Sequence, residues 1–125
     1  MTVRIFLFVL VSVVMSAVAQ IVLKLGMSNP TTMRAFDEAP SVWQSIWPLL
    51  TSVQIWAGLS MYGLGAVAWL FVLAKLDVSM AYPFIGLGFI LTMAMGALFL
   101  GEPVGLTRIV GTILVVGGIF LVGQS

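Results

Sequence analysis

Ser12, Ser16, Gln20 and Lys24 recur every four positions within one long apolar run. Successive members advance about 400° around a helix, so the set drifts by roughly 120° and keeps to one side over about 18 Å. A polar line through a bilayer is unfavourable unless it meets protein or water. Two readings follow. The Ser and Gln side chains can bind a neighbouring helix, while Lys24, about 13 Å from the helix midpoint, snorkels to the interface. Alternatively, the stripe is the polar wall of a translocation path, with Lys24 meeting an anionic group at headgroup depth.

The remaining chemical inventory is short. The chain has no Cys and no His, which removes disulfides, thiol catalysis, zinc ligation and imidazole proton transfer. Any chemistry must run on the few charged groups together with hydroxyls, amides and aromatics. The acids are Asp37, Glu38, Asp77 and Glu102, and the bases are Arg4, Lys24, Arg34, Lys75 and Arg108. A proton-driven exporter of organic cations needs a carboxylate in mid-membrane. None of these acids lies there; Asp77 and Glu102 fall at expected helix starts, where they suit the helix dipole. An anionic or zwitterionic substrate is the better match.

The elements that position these groups follow from composition. Of 125 residues, 62% are hydrophobic and only 7% charged, against about 25% charged in soluble domains. Mean hydropathy is +1.23. The net charge of +1 leaves no basic face for nucleic acid. A spanning helix needs roughly 20 mostly apolar residues, and such stretches occur at about 5–25, 53–73, 78–100 and 106–122. Asn29-Pro30, Pro48 and Gly101-Glu102-Pro103 punctuate them, and Ala74-Lys75-Leu76-Asp77 makes a tight helical hairpin. The expected architecture is all-α: one four-helix transmembrane domain over residues 1–125, without a soluble appendage.

Arg4, the apolar run and Ala17-Val18-Ala19 also fit a signal peptide cleaved before Gln20. The apolar run continues through Leu25, which favours a spanning helix. Residues 28–50 form the polar stretch, where Ser41 and Gln44 suggest a capping box and Trp43 and Trp47 lie one turn apart. A short interfacial helix is expected there, either as an aromatic anchor or as a lid over a head group. With the N-terminus in the cytoplasm, Arg4 and Lys75 face one side and Arg34 and Arg108 the other. The positive-inside signal is therefore nearly balanced, so that the chain inserts both ways or is oriented by a partner.

Two small-residue patterns stand out. Gly111 and Gly118 are seven apart on the fourth span, with Leu114 and Val115 between them. Small residues allow close backbone approach in lipid, so this face is either a dimer seam or a packing face within the chain. On the third span, Ala81-Tyr82-Pro83 precedes Gly86 and Gly88. Pro83 frees a backbone carbonyl, and such loosened helices line transporter cavities; a proline near a helix end is also simply tolerated.

These motifs resemble the small four-helix branch of the drug/metabolite transporter superfamily, and within it the aminoarabinose–undecaprenyl phosphate flippase subunits. The resemblance rests on Ser16-x3-Gln20-x3-Lys24, Trp69-Leu70-x-Val72-Leu73, Ala81-Tyr82-Pro83, Glu102-Pro103-Val104 and Gly117-Gly118-Ile119. It excludes residues 28–50, which are longer than those subunits lead one to expect. More distantly, the chain is similar to the small multidrug resistance family. That family's membrane glutamate aligns with Ser16, its tyrosine with Tyr82 and its tryptophan with Ile85. Its dimer motif aligns with Gly111, Leu114, Val115, Gly118 and Ile119. The scaffold and seam match, while the proton- and cation-binding group is missing.

The resemblance implies half of an inverted-repeat transporter: a dimer of four-helix chains, either an antiparallel homodimer or a pair with a related four-helix subunit. It implies movement of a phosphate-bearing, lipid-linked sugar across a bacterial inner membrane, with no catalysed reaction, metal or cofactor. The lipid phosphate would engage Lys24, and Ser16, Gln20 and Tyr82 would line the path. The alternatives are a small-solute or drug exporter on the same fold, and a non-transporting helical partner of another membrane protein.

Overall fold

The computed structural model describes residues 2–38 and 41–125. Seven α-helices and one 3-10 turn follow in order: α1 (Val3–Met27), α2 (Pro30–Glu38), α3 (Val42–Leu50), α4 (Val53–Leu73), α5 (Val78–Ala81), the turn Tyr82–Gly86, α6 (Leu87–Phe99) and α7 (Leu106–Gln124). Four segments are long and apolar enough to cross a membrane: α1, α4, Val78–Phe99 and α7. The chain is a multi-pass membrane protein with a four-helix, small multidrug resistance-like fold.

Local chemistry sets the helix ends. Thr2 caps α1, its hydroxyl accepting from the Ile5 amide at 3.3 Å, and no breaker intervenes before Ser28. The helix therefore runs unbroken through Ala17-Val18-Ala19. Ser41 and Ser52 cap α3 and α4 in the same way, accepting from Gln44 and Ile55 amides at 3.4 Å each. The Trp56 indole donates to the Leu50 carbonyl at 2.7 Å, satisfying a backbone acceptor at the end of α3. The polar stretch holds two short helices where one was expected. Pro30 starts the additional one, α2, at a first-turn position that needs no amide hydrogen.

The third span is not one regular helix. Pro83 has no amide hydrogen and its ring crowds the preceding turn, and the backbone tightens to 3-10 geometry between α5 and α6. At the other end, Gly101 adopts φ 66°, the left-handed conformation glycine permits. This turn lets the Leu100 and Glu102 amides both donate to the Gly96 carbonyl, at 3.1 and 3.0 Å.

The core is a zipper of α1 on α4, running antiparallel. Gly26 faces Ile55, Gly58 faces Leu23 and Ala19, and Gly65 faces Ser12 and Ser16. Phe8 and Phe71 stack beyond them, with ring centroids 5.3 Å apart. A Cβ at Gly58 would fall 2.7 Å from Leu23, and one at Gly65 would fall 3.2 Å from the Ser12 carbonyl. These glycines therefore set the helix spacing. Val9, Val13, Val72, Ala81, Phe84 and Ile119 form the buried cluster beside the zipper. α6 lies parallel to α1, with Gly88 opposite Val13. α7 reaches the rest mainly through the Tyr82–Gly86 turn, where Val115 and Ile119 fill the space left by Gly86.

Candidate functional site: a midplane cavity on the polar face of α1

A cavity of about 580 Å³ opens along the polar face of α1, walled by α1, α4, the 3-10 turn and α6. Its α1 wall carries Ser12, Ser16 and Gln20. Its α4 wall carries Tyr62, Ala66 and Trp69, and the third span contributes Tyr82, Ile85, Gly88, Phe89 and Thr92. Ser12, Ser16, Tyr62, Gly88 and Phe89 sit near the middle of their spans, whereas Trp69 lies toward the end of α4 and Tyr82 toward the start of Val78–Phe99. The cavity therefore includes mid-membrane depth, where inverted-repeat transporters hold their cargo, and extends toward the end of the bundle that holds the α4–α5 turn.

Hydrogen bonding separates the structural hydroxyls from the free ones. Ser12 is buried, and its hydroxyl donates to the Gly65 carbonyl at 2.7 Å, fastening α1 to α4. Thr92 donates back to the Gly88 carbonyl at 2.8 Å within its own helix. Ser16 is half-buried, while Gln20, Tyr62 and Tyr82 are exposed to the cavity side or its mouth. These four groups are not engaged in side-chain hydrogen bonds among the described residues, and so can serve a guest.

The structure brings Ser16, Gln20 and Tyr82 to one cavity. Lys24 does not line it; it is exposed, one turn beyond Gln20, about 6 Å along the axis. Sequence reading missed Tyr62, Trp69 as a wall residue, and Thr92. The signal was present: Gly58, Tyr62, Gly65 and Trp69 fall on one face of a helix of 3.6-residue period. Two glycines of that face close the zipper, and the two aromatics stand over the cavity.

The proposed seam residues divide between two faces of α7. Ile119 is buried and Val115 half-buried against the Tyr82–Gly86 turn. A Cβ added at Gly111 or Gly118 would meet nothing within 4 Å, and Leu114 is 71% exposed.

Among the described residues, no ionisable acid or base lines the cavity, apart from the tyrosine phenols. Its volume falls within the usual range for small-molecule sites, and its wall is mostly apolar with a few polar groups. Aromatic faces beside hydroxyls and an amide suit a neutral, polyhydroxylated ring. A fully ionised group would find no countercharge along this wall.

No family model matches the chain, and no solved structure matches it. Curated relatives do. The probable 4-amino-4-deoxy-L-arabinose-phosphoundecaprenol flippase subunit ArnE of Pseudomonas aeruginosa (strain UCBPP-PA14) is 30% identical over 116 residues, covering 93% of this chain and 94% of the relative. The ArnE subunit of Pseudomonas savastanoi pv. phaseolicola is 34% identical over 87 residues, 66% of this chain and 76% of the relative. The probable ArnF subunit of Photorhabdus laumondii is 31% identical over 123 residues, 95% of this chain and 96% of the relative. With matches of this length running through all four spans, the chain belongs to the ArnE/ArnF family of flippase subunits.

Proposed function

We propose that this flippase subunit moves a polyprenyl-phosphate-linked aminosugar across a bacterial inner membrane, acting as a single transmembrane domain over residues 1–125. The observation that carries the reading is the placement of Ser16, Gln20, Tyr62 and Tyr82 around one mid-membrane cavity, with Lys24 one turn beyond. A sugar joined directly to a phosphate spans about that distance. The sugar ring would rest against Tyr62, its hydroxyls bonded to Ser16 and Gln20, while Trp69 and Tyr82 would line the path farther from Lys24. The phosphate would meet the Lys24 ammonium nearer the membrane face, and the polyprenyl tail would stay in lipid. A cation exporter would find no carboxylate along this wall.

One chain supplies one half of the path. The relatives' names describe subunits of two kinds, which favours a pair of unlike four-helix chains over an antiparallel homodimer. The outward face of α7, with Gly111, Leu114 and Gly118, is the seam in either case. Membrane vesicles containing the chain and its partner provide the test. Lys24→Ala should lower flipping at least about tenfold at matched expression, the loss of one charge-assisted contact. Lys24→Arg should keep part of it, since the charge remains while the geometry changes. Normal flipping by the alanine variant would return Lys24 to a snorkelling role.

A further inference from the structure

A second cleft, of about 330 Å³, lies between α6 and α7 and is lined by Phe89, Thr92, Gly96, Glu102, Arg108 and Thr112, among others. An acid and a base of this sparsely charged chain, Glu102 and Arg108, line this one space. Both side chains are positioned by the fold. Gly96 carries no side chain, and Glu102 Oε1 occupies that space, 2.7 Å from where a Cβ would stand. Arg108 donates through Nη1 to the Pro103 carbonyl at 3.0 Å, rather than to the carboxylate. Its other N–H groups remain available. Thr112 closes the floor, its hydroxyl bonded to the Arg108 carbonyl at 2.8 Å.

Position adds to the chemistry. The cleft is at the C-terminal end of α6 and the N-terminal end of α7, on the same membrane face as Lys24, because α6 runs parallel to α1. Phe89 and Thr92 line both this cleft and the mid-membrane cavity. A head group seated between Glu102 and Arg108 would therefore share those two wall residues with the cavity.

We infer that this cleft is a loading site for a head group carrying both an ammonium and a phosphate. The Glu102 carboxylate takes the ammonium and the Arg108 guanidinium takes the phosphate. The inference rests on the flippase reading, whose cargo, in the relatives' names, is a 4-amino-4-deoxy-L-arabinose-phosphoundecaprenol. The same pair of charges occurs in phosphatidylethanolamine, so the test separates the two sources.

The probes are a short-chain polyprenyl phosphate bearing 4-amino-4-deoxyarabinose and its N-acetyl derivative, bound to the full chain in phosphatidylglycerol nanodiscs. The wild type should bind the free amine about tenfold tighter, as a charge-assisted hydrogen bond warrants. Glu102→Gln should bring that ratio close to one without weakening the acetylated lipid. Arg108→Gln should weaken both lipids similarly, and Arg108→Lys, which keeps the charge, should recover part of the loss. Competition by phosphatidylethanolamine at equal concentration would keep the chemistry and assign the site to bulk phospholipid. Failure to compete would assign it to the lipid-linked aminosugar. A wild type with no preference for the amine, a preference that survives Glu102→Gln, or no binding of any of the three lipids would overturn the proposal. Discrimination in binding without flipping by the chain and its partner would overturn the flippase reading alone.

Discussion

The α1–α4 zipper and the α7 helix use the same residue type for opposite ends. On α4, Gly58 and Gly65 are seven apart and buried, and each is pressed against α1. On α7, Gly111 and Gly118 are also seven apart, and neither has a neighbour within 4 Å. Within the apolar window of α1, 28% of residues are buried inside the chain; within that of α7, 6%. Glycine spacing alone thus marks a surface able to approach another backbone, without saying whether the other backbone belongs to the same chain. The zipper is a finished contact. The outward face of α7 meets nothing of its own chain at Gly111 and Gly118 and is free for lipid or another chain.

The contrast is broken most severely at the zipper. Gly65→Leu forces a side chain against the Ser12 backbone, where nothing flexible can yield. Overpacking of this kind costs about 1–3 kcal/mol where the core can adjust, and more where it cannot. We expect little monodisperse protein in detergent extracts, measured by fluorescence-detected size exclusion.

On α7 the same kind of change should leave the chain folded. Gly118→Leu meets open space within the chain, so its effect on the monomer should stay within about 0.5 kcal/mol. Its effect should fall on assembly, seen as loss of dimer in the same chromatograms. Cysteine crosslinking in membranes sharpens the point, since the wild type has no thiol. Leu114→Cys should trap a chain–chain disulfide, whereas Val115→Cys, turned toward the Tyr82–Gly86 turn, should trap little. Equal crosslinking at both would mean that α7 is rotated in the assembly.

The smallest effect is expected at Ser12. Ser12→Ala removes the 2.7 Å bond to Gly65, and interhelical hydrogen bonds in membranes average about 0.6 kcal/mol. A modest fall in thermal stability, with flipping nearly unchanged, would identify this hydroxyl as a fastener. A large loss of flipping would place it on the path beside Ser16 and Gln20.

Much of the site was legible in α1, because a polar side chain in an apolar run needs a reason that period and depth can supply. The stripe Ser12, Ser16, Gln20 and Lys24 carried that signal, yet its members have three different surroundings. Ser12 lines the cavity but is bonded to α4, Ser16 and Gln20 line it without such a bond, and Lys24 stands beyond its lining. No rule of spacing separates them, since the difference depends on where α4 lies. Tyr62 and Thr92 were missed for a related reason. An isolated tyrosine or threonine in a spanning helix is ordinary until a second helix brings it opposite a glutamine.

The sequence by itself determined the membrane class, the four spans, their breakers, and the absence of acid and base from the middle of the bilayer. Those properties follow from solvation, which acts on each segment almost independently: about 20 apolar residues bury themselves in lipid whatever their neighbours do. Tertiary structure alone decided which glycines close the core and which remain open, that Pro83 yields a 3-10 turn, and that Glu102 and Arg108 share a cleft. Lipid offers no hydrophobic force to choose between apolar faces. Pairing is therefore settled by close packing and single hydrogen bonds, which exist only once two helices have met.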